Sequence, residues 1–262
     1  MNKSQDIFIA PSTFAKYSNK PLNLITDSNY KLSFNKTGKK LIDEEIIRLA
    51  QNATGIIAGT ELYSEQILSN LPKLKVISRL GVGMDNIDLE ITKKRGIKVY
   101  RTKTNPGKAV AELVIGFMIS LARNITKNNQ LMIDGHWKKE MGFLLSGKTL
   151  GIVGLGSIGK NLVKMVRGFN FKILAFDKFN DNDFAEKFEV NYCSLDKLLS
   201  KSDFISIHLN LSEETKNLID EQKVKMIKSN AILINTSRGE VIDEMALYKA
   251  LSERKIKGAA LD

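Results

Sequence analysis

Gly154, Gly156 and Gly159 stand in the stretch LGIVGLGSIGK with the spacing G-x-G-x-x-G. Three glycines alone say little. These follow a short apolar run and open a segment with Ile158, Leu162, Val163 and Val166 at helical spacing. In that setting each has its own job: Gly154 permits a tight turn, Gly156 lets the backbone approach a pyrophosphate, and Gly159 lets helix and strand pack closely. The helix begins with Ser157 and Ile158 and offers phosphates unpaired N–H groups and a partial positive charge. The next strand ends at Asp177, eighteen residues beyond Gly159. That is close to the ~20 expected of an acid that binds the adenosine ribose hydroxyls. The chemistry in prospect is dinucleotide binding. A carboxylate at Asp177 repels a 2′-phosphate, so NAD is expected over NADP, with the adjacent Lys178 able to soften the preference.

Other residue types suit a small anionic substrate. Arg238 lies in the small-residue turn NTSRGE, just after the apolar run AILINT that ends at Thr236. Its planar guanidinium fork matches a carboxylate, and a turn there points into the crevice where ligands bind. A structural salt bridge is the alternative. Thr236 is counted with the candidate cofactor contacts. Arg79 ends the run LKVISRL beside the glycine turn 81–83. It can meet a substrate phosphate or form an ordinary surface ion pair, and both readings stay open; Lys103 and Lys139 are weaker candidates of the same kind. The chain has two histidines. His136, in DGHWKKE, reads as a surface or packing residue. His208 ends the run DFISIH, faces the crevice, and on its chemistry alone is a tempting general base. Cys193, the one cysteine, cannot form an internal disulfide and reads as inert, in keeping with a reducing cytoplasm. No metal site is read.

The elements that must position these residues alternate. In the first part, strand runs at 7–10, 30–34, 55–59, 74–80 and 97–100 are separated by helical patterns at 43–51, 64–70 and 87–96. In the second part, strand runs fall at 149–154, 171–177, 188–192, 203–208 and 231–236, with GAALD at the end. Repeated strand–helix alternation predicts an α/β fold of parallel doubly wound sheets. Pro106 disfavours helix at Asn105 and marks a turn or hinge. The expected domains are 1–104 and 105–262, the second carrying the cofactor turn. After the hinge, Val110, Leu113, Val114, Phe117, Met118 and Leu121 share one helical face, as core packing requires.

A length of 262 residues suits two small cores. The net charge of +11 comes from lysines scattered along the chain, which fits solvated faces and attraction of small anions. No zinc-finger spacing, basic helix or aromatic–basic motif points to nucleic acid. The longest apolar run, LVIGFMISLA, is about half of a membrane span, and MNKSQDIFIAPS lacks the long apolar core of a signal peptide. A soluble cytoplasmic protein without a membrane partner is expected.

Taken together, GKTLGIVGLGSIGK, SDFISIHLNLSEETKNLI, AILINTSRGEVIDEMAL and GAALD resemble the D-isomer-specific 2-hydroxyacid dehydrogenases. In the first part, LKVISRLGVGMDNIDLEITKKRGIKV and NPGKAVAELVIGFMISLAR resemble the D-3-phosphoglycerate dehydrogenase branch. The resemblance implies NAD-linked interconversion of a D-2-hydroxy acid and a 2-oxo acid, with 3-phosphoglycerate as the expected substrate and serine biosynthesis as the setting. It implies a flavodoxin-like substrate domain and a Rossmann domain with the substrate between them. Arg238 would hold the substrate carboxylate and polarise its carbonyl. The N–H groups of Val82 and Gly83 would also hold the carboxylate. Asp262 would accept from the nicotinamide carboxamide, and His208 would border the cofactor. The family is usually dimeric or larger, with helix 108–123 at the subunit contact.

Oxidation of an alcohol by hydride loss needs a base for the hydroxyl proton. The family uses a His paired with a Glu, and both matching positions fall beyond Asp262. The expectation is therefore a fragment that binds NAD with turnover near zero. The competing expectation is a non-catalytic NAD-binding regulator on the same scaffold. A hydrolase using NTSRG would need a nucleophile–base pair, and no His lies near Ser237 in sequence.

Overall fold

Short runs of Ile, Val, Leu and Phe set the strands, because branched and aromatic side chains pack well on a pleated surface. The computed structural model describes residues 6–28 and 30–262. The chain divides into two units between Asn105 and Pro106. The signal-peptide expectation falls partly on residues 1–5, which lie outside the described residues.

The first unit runs β1 (Asp6–Ile9), α1 (Lys20–Thr26), β2 (Lys31–Phe34), α2 (Asp43–Ala50), β3 (Gly55–Ala58), α3 (Glu65–Ser69), β4 (Val76–Arg79), α4 (Leu89–Lys94) and β5 (Lys98–Arg101). Its strands are parallel, in the order β2-β1-β3-β4-β5. This is the flavodoxin-like doubly wound order, whose chain reverses direction between β1 and β3. Phe8, Ile56 and Ile77 of the sheet pack with Ile46, Ile67 and Leu68 of the helices to form a dry core.

The second unit opens with α5 (Gly107–Ala122) and α6 (Ile125–Ile133). It continues β6 (Thr149–Val153), α7 (Ser157–Met165), β7 (Lys172–Phe176), α8 (Asn182–Lys187), β8 (Val190–Tyr192), α9 (Leu195–Lys201), β9 (Phe204–Ile207), α10 (Glu221–Met226), β10 (Ile232–Asn235), α11 (Glu244–Ser252) and β11 (Gly258–Leu261). The parallel order is β11-β10-β9-β6-β7-β8, and the direction reverses between β6 and β9. Strands β6, β9 and β10 are buried along nearly their whole length, as expected of a sheet covered on both faces. Asp88, Asp181, Ser194, Asp220 and Asp243 cap their helices, each accepting an N–H three residues on.

The sequence reading assigns no helical range to α1, α6, α8, α9, α10 or α11. Another is correctly placed but turned. The buried stripe of α5 is Gly107, Ala111, Val114, Met118 and Ala122, so that Val114 and Met118 of the expected face lie in it while Val110, Phe117 and Leu121 are half-buried at its side. Small residues at 107, 111 and 122 let α5 lie close against α7, and the bulkier side chains flank that contact. Leu113 is exposed. Among the described residues no single helix is long and apolar enough to cross a membrane.

Candidate functional site

The strand ends of the second unit form a level row. Val153 pairs with both Phe176 and Ile207, Ile207 with Asn235, and Asn235 with Leu261. The next residue of each strand therefore lies on one edge. Read along the sheet, that edge presents Asp262, Thr236, His208, Gly154 and Asp177. In an open α/β sheet, ligands bind outside the carboxyl ends of the strands, where the order reverses. Gly154 and His208 flank that reversal.

Gly154 is buried with φ +96°, a conformation that only glycine adopts without strain. A Cβ there would lie 2.7 Å from the His208 carbonyl oxygen. A Cβ on Gly159 would lie 2.6 Å from the Gly154 carbonyl oxygen. Two of the three glycines thus answer to close backbone contact, Gly154 with the end of β9 and Gly159 within the turn. Gly156 has open space around it and is exposed together with Ser157. That leaves the α7 N-terminus accessible to a phosphate. Asp177 is tied into the same turn: its Oδ2 accepts the Leu155 N–H at 2.6 Å and its Oδ1 accepts the Phe179 N–H at 3.0 Å. The carboxylate is held in place and keeps acceptor capacity for hydroxyls.

Two buried polar atoms on this edge have no partner, His208 Nδ1 and Thr236 Oγ1. They follow neighbouring strands. An unsatisfied buried polar atom costs about 1–3 kcal/mol, so two at one crevice mark a place where a polar ligand completes the bonding. The residues fit a dinucleotide: a phosphate cradle, a fixed carboxylate eighteen residues on, and two waiting polar atoms beyond the reversal. Asp262 is exposed at the end of β11, its N–H bonded to the Asn235 carbonyl at 3.1 Å.

Arg238 is half-buried, and its Nη1 donates to the Ser237 carbonyl at 2.9 Å. Sequence reasoning missed what builds its turn. Asn235 accepts from both the N–H and the hydroxyl of Ser237, at 2.9 and 2.7 Å, and donates to the Arg238 carbonyl at 2.8 Å. The signal was present as a buried Asn ending a strand, a residue that bonds its own backbone in turns.

His208 Nε2 and the Ser206 hydroxyl lie 2.9 Å apart. Burial pushes the imidazole down from its ordinary value to about 4. It is neutral near pH 7, whereas the unfolded chain begins to bind its proton near pH 6.5. The unfolded state thus holds more protons between those values, and stability falls as pH drops from about 6.5 to about 4. The expected loss is about 3 kcal/mol. Urea unfolding at pH 7 and pH 4.5 checks this. His208→Asn should lose less stability on acidification than the parent chain, and equal losses would contradict the assignment. Cys193 is half-buried, and burial pushes its thiol up, as suits an inert residue. His136, Lys103 and Lys139 are exposed.

The first unit carries Arg79, Val82 and Gly83. Arg79 is buried. Its Nε donates to Asn86 Oδ1 at 3.2 Å, and its Nη1 donates to the Leu80 carbonyl. Asn86 in turn donates to the carbonyls of Gly59, at 3.0 Å, and Glu61, at 2.6 Å. That network seats Arg79 in a cleft of about 250 Å³ shared with Pro11, Gly59, Lys39, Lys40 and Glu61. The cleft lies beyond the carboxyl ends of β1 and β3, the reversal point of this sheet. Lys39, Lys40 and Asn86 were not singled out from sequence. Val82 and Gly83 are half-buried in the turn that follows β4.

The family described as "D-isomer specific 2-hydroxyacid dehydrogenase, NAD binding domain" matches residues 115–262. A glyoxylate reductase of Thermococcus litoralis is 42% identical over 212 residues, 78% of this chain and 64% of the relative. A D-3-phosphoglycerate dehydrogenase of Methanocaldococcus jannaschii is 38% identical over 227 residues, 85% of this chain and 43% of the relative. The chain thus spans less than two thirds of either. The structure of an Aquifex aeolicus D-lactate dehydrogenase complexed with NAD and lactic acid superimposes with a TM-score of 0.82 at 28% identity, over 98% of this chain and 76% of that one. The chain belongs to the D-isomer-specific 2-hydroxyacid dehydrogenase family, and NAD is its cofactor.

Proposed function

Taking that family as the premise, we propose that the chain binds NAD and a small D-2-hydroxy acid or its 2-oxo acid for their interconversion, with turnover of these 262 residues near zero, because the histidine at the crevice, His208, is a poor base. Bound NAD would supply the hydride acceptor or, when reduced, the donor. The row of strand ends in the second unit carries this reading. Gly154, Gly156, Ser157, Ile158 and Gly159 hold the pyrophosphate, Asp177 the adenosine ribose, and His208, Thr236 and Asp262 the far half of the cofactor. Arg238 of the second unit holds a carboxylate with its guanidinium fork; in the first unit, Val82 and Gly83 offer backbone N–H groups to an acid. His208 is a poor proton acceptor, because burial keeps it neutral down to about pH 4. Its role is to complete cofactor bonding through Nδ1.

The substrate we propose carries a second anionic group, as 3-phosphoglycerate does. The observation in support is the cleft of the first unit, lined by Arg79, which Asn86 fixes, by Lys39 and Lys40, and by the one carboxylate of Glu61, which accepts the Gly59 N–H. Calorimetric titration of the NAD-loaded chain tests it. 3-Phosphoglycerate should bind more tightly than D-glycerate. Arg79→Met should weaken the phosphorylated ligand by about tenfold or more and leave D-glycerate nearly unchanged. Equal binding of the two ligands, or equal weakening, would put an unphosphorylated oxo acid such as glyoxylate in its place, in keeping with the name of the Thermococcus relative.

We further propose that the chain works in the cytoplasm as a dimer or a larger assembly. In support, Ile125, Met132, Ile133, Trp137, Met141 and Leu144 form an exposed apolar series after α5. A second copy would cover part of it.

A further inference from the structure

Lys178 and Glu214 meet across the carboxyl edge of the second unit. Lys178 directly follows Asp177, on the loop after β7. Glu214 lies on the loop after β9. The Lys178 Nζ is 2.9 Å from one carboxylate oxygen of Glu214 and 3.2 Å from the other. Strands β7 and β9 are not neighbours, since β6 lies between them. With strands ~4.8 Å apart, the two loops span roughly 10 Å over the strand that carries the phosphate turn.

The loop that presents Glu214 is well built. Thr215 Oγ1 accepts the Ser212 N–H at 2.8 Å and donates to the Asn210 carbonyl at 2.7 Å. The Lys216 N–H reaches the Ser212 carbonyl at 2.9 Å, and the Asn217 N–H reaches the Glu240 carbonyl at 2.8 Å. Glu214 therefore sits on a fixed turn. The other lysine close to this site, Lys160 of α7, is paired with Asp181.

A cofactor bearing a 2′-phosphate needs a cation beside the adenosine ribose. Lys178 is next to the carboxylate assigned to that ribose, but Glu214 occupies it. We infer that Glu214 is a specificity-determining residue: by holding Lys178 it withholds a cation from a 2′-phosphate and reinforces the selectivity set by Asp177. Glu214 acts through Lys178, so its role is positioning. The inference rests on the reading of this edge as the NAD site, and under it the lysine beside Asp177 is not expected to soften the preference.

Fluorescence titration of NADH and NADPH tests it in the full 262-residue chain. Both ends of the pair are exposed, so the effect is that of a screened interaction. Glu214→Gln should tighten NADPH by about two- to fivefold while NADH stays unchanged. Adding Lys178→Met to that variant should abolish the gain. A structural role for Glu214 would shift both cofactors alike, so the ratio is the informative quantity. NADH binding with an unchanged NADPH-to-NADH ratio in Glu214→Gln overturns this inference alone, as does a gain that survives removal of Lys178. Failure of the parent chain to bind NADH overturns the cofactor reading, and this inference falls with it.

Discussion

Gly154→Val is expected to reduce NADH affinity by about a hundredfold. The position needs φ +96°, which a β-branched residue adopts only under strain. The new Cβ would also stand 2.7 Å from the His208 carbonyl oxygen. That oxygen cannot move aside cheaply, because the His208 N–H is bonded to the Val153 carbonyl at 2.8 Å, tying β9 to β6. The turn must therefore rearrange, and the α7 N-terminus moves with it. Gly168→Ala serves as a control: it has open space and ordinary backbone geometry, so it should melt and bind like the parent. Fluorescence titration and thermal melting together separate lost binding from lost folding. A Gly154→Val chain that kept its NADH affinity within a few-fold would show that the phosphate does not sit on this turn.

Asp177→Ala should shift the ratio of NADH to NADPH affinity by about a hundredfold toward NADPH. Two effects add. The carboxylate no longer bonds the ribose hydroxyls, which weakens NADH. The like-charge clash with a 2′-phosphate, a matter of several kcal/mol, also disappears. The Leu155 and Phe179 N–H groups lose their acceptor as well, so both cofactors should weaken somewhat through the loosened turn. The ratio removes that common loss. If the parent chain already bound NADPH as tightly as NADH, the role given to Asp177 would be wrong.

Much of the strand order was legible in the sequence because strands such as β1, β3 and β6 are short apolar runs followed by Pro11, Gly59 and Gly154, and because the two periodicities differ. The phosphate turn and Asp177 were legible for a further reason: the whole device is local, three glycines and an acid within one strand–helix–strand unit. What escaped depends on distant pairing or on exposure. Helix α6 leaves Ile133 and, just beyond it, Trp137 in water, so its apolar residues trace no core-facing stripe. The α5 stripe was misjudged because Gly107, Ala111 and Ala122 bury by being small, which a hydrophobic pattern does not register. Arg79 stayed open between a substrate contact and a surface ion pair because charged residues are rarely buried unless paired. Only the fold reveals that Asn86, a few residues on in the chain, holds it. The Lys178–Glu214 pair joins residues of two loops whose strands are separated by a third, an arrangement that becomes visible only once the sheet order is known.

Hydrogen exchange with and without saturating NADH is the measurement that most directly tests the assignment of the β6–β9 edge as the NAD site. Protection on binding should concentrate in 154–159, 177–179, 208–210 and 236–238, and the cleft containing Arg79 should respond only when a hydroxy acid is added with the cofactor. NADH-dependent protection centred elsewhere in the second unit, or none at these segments at saturation, would contradict it.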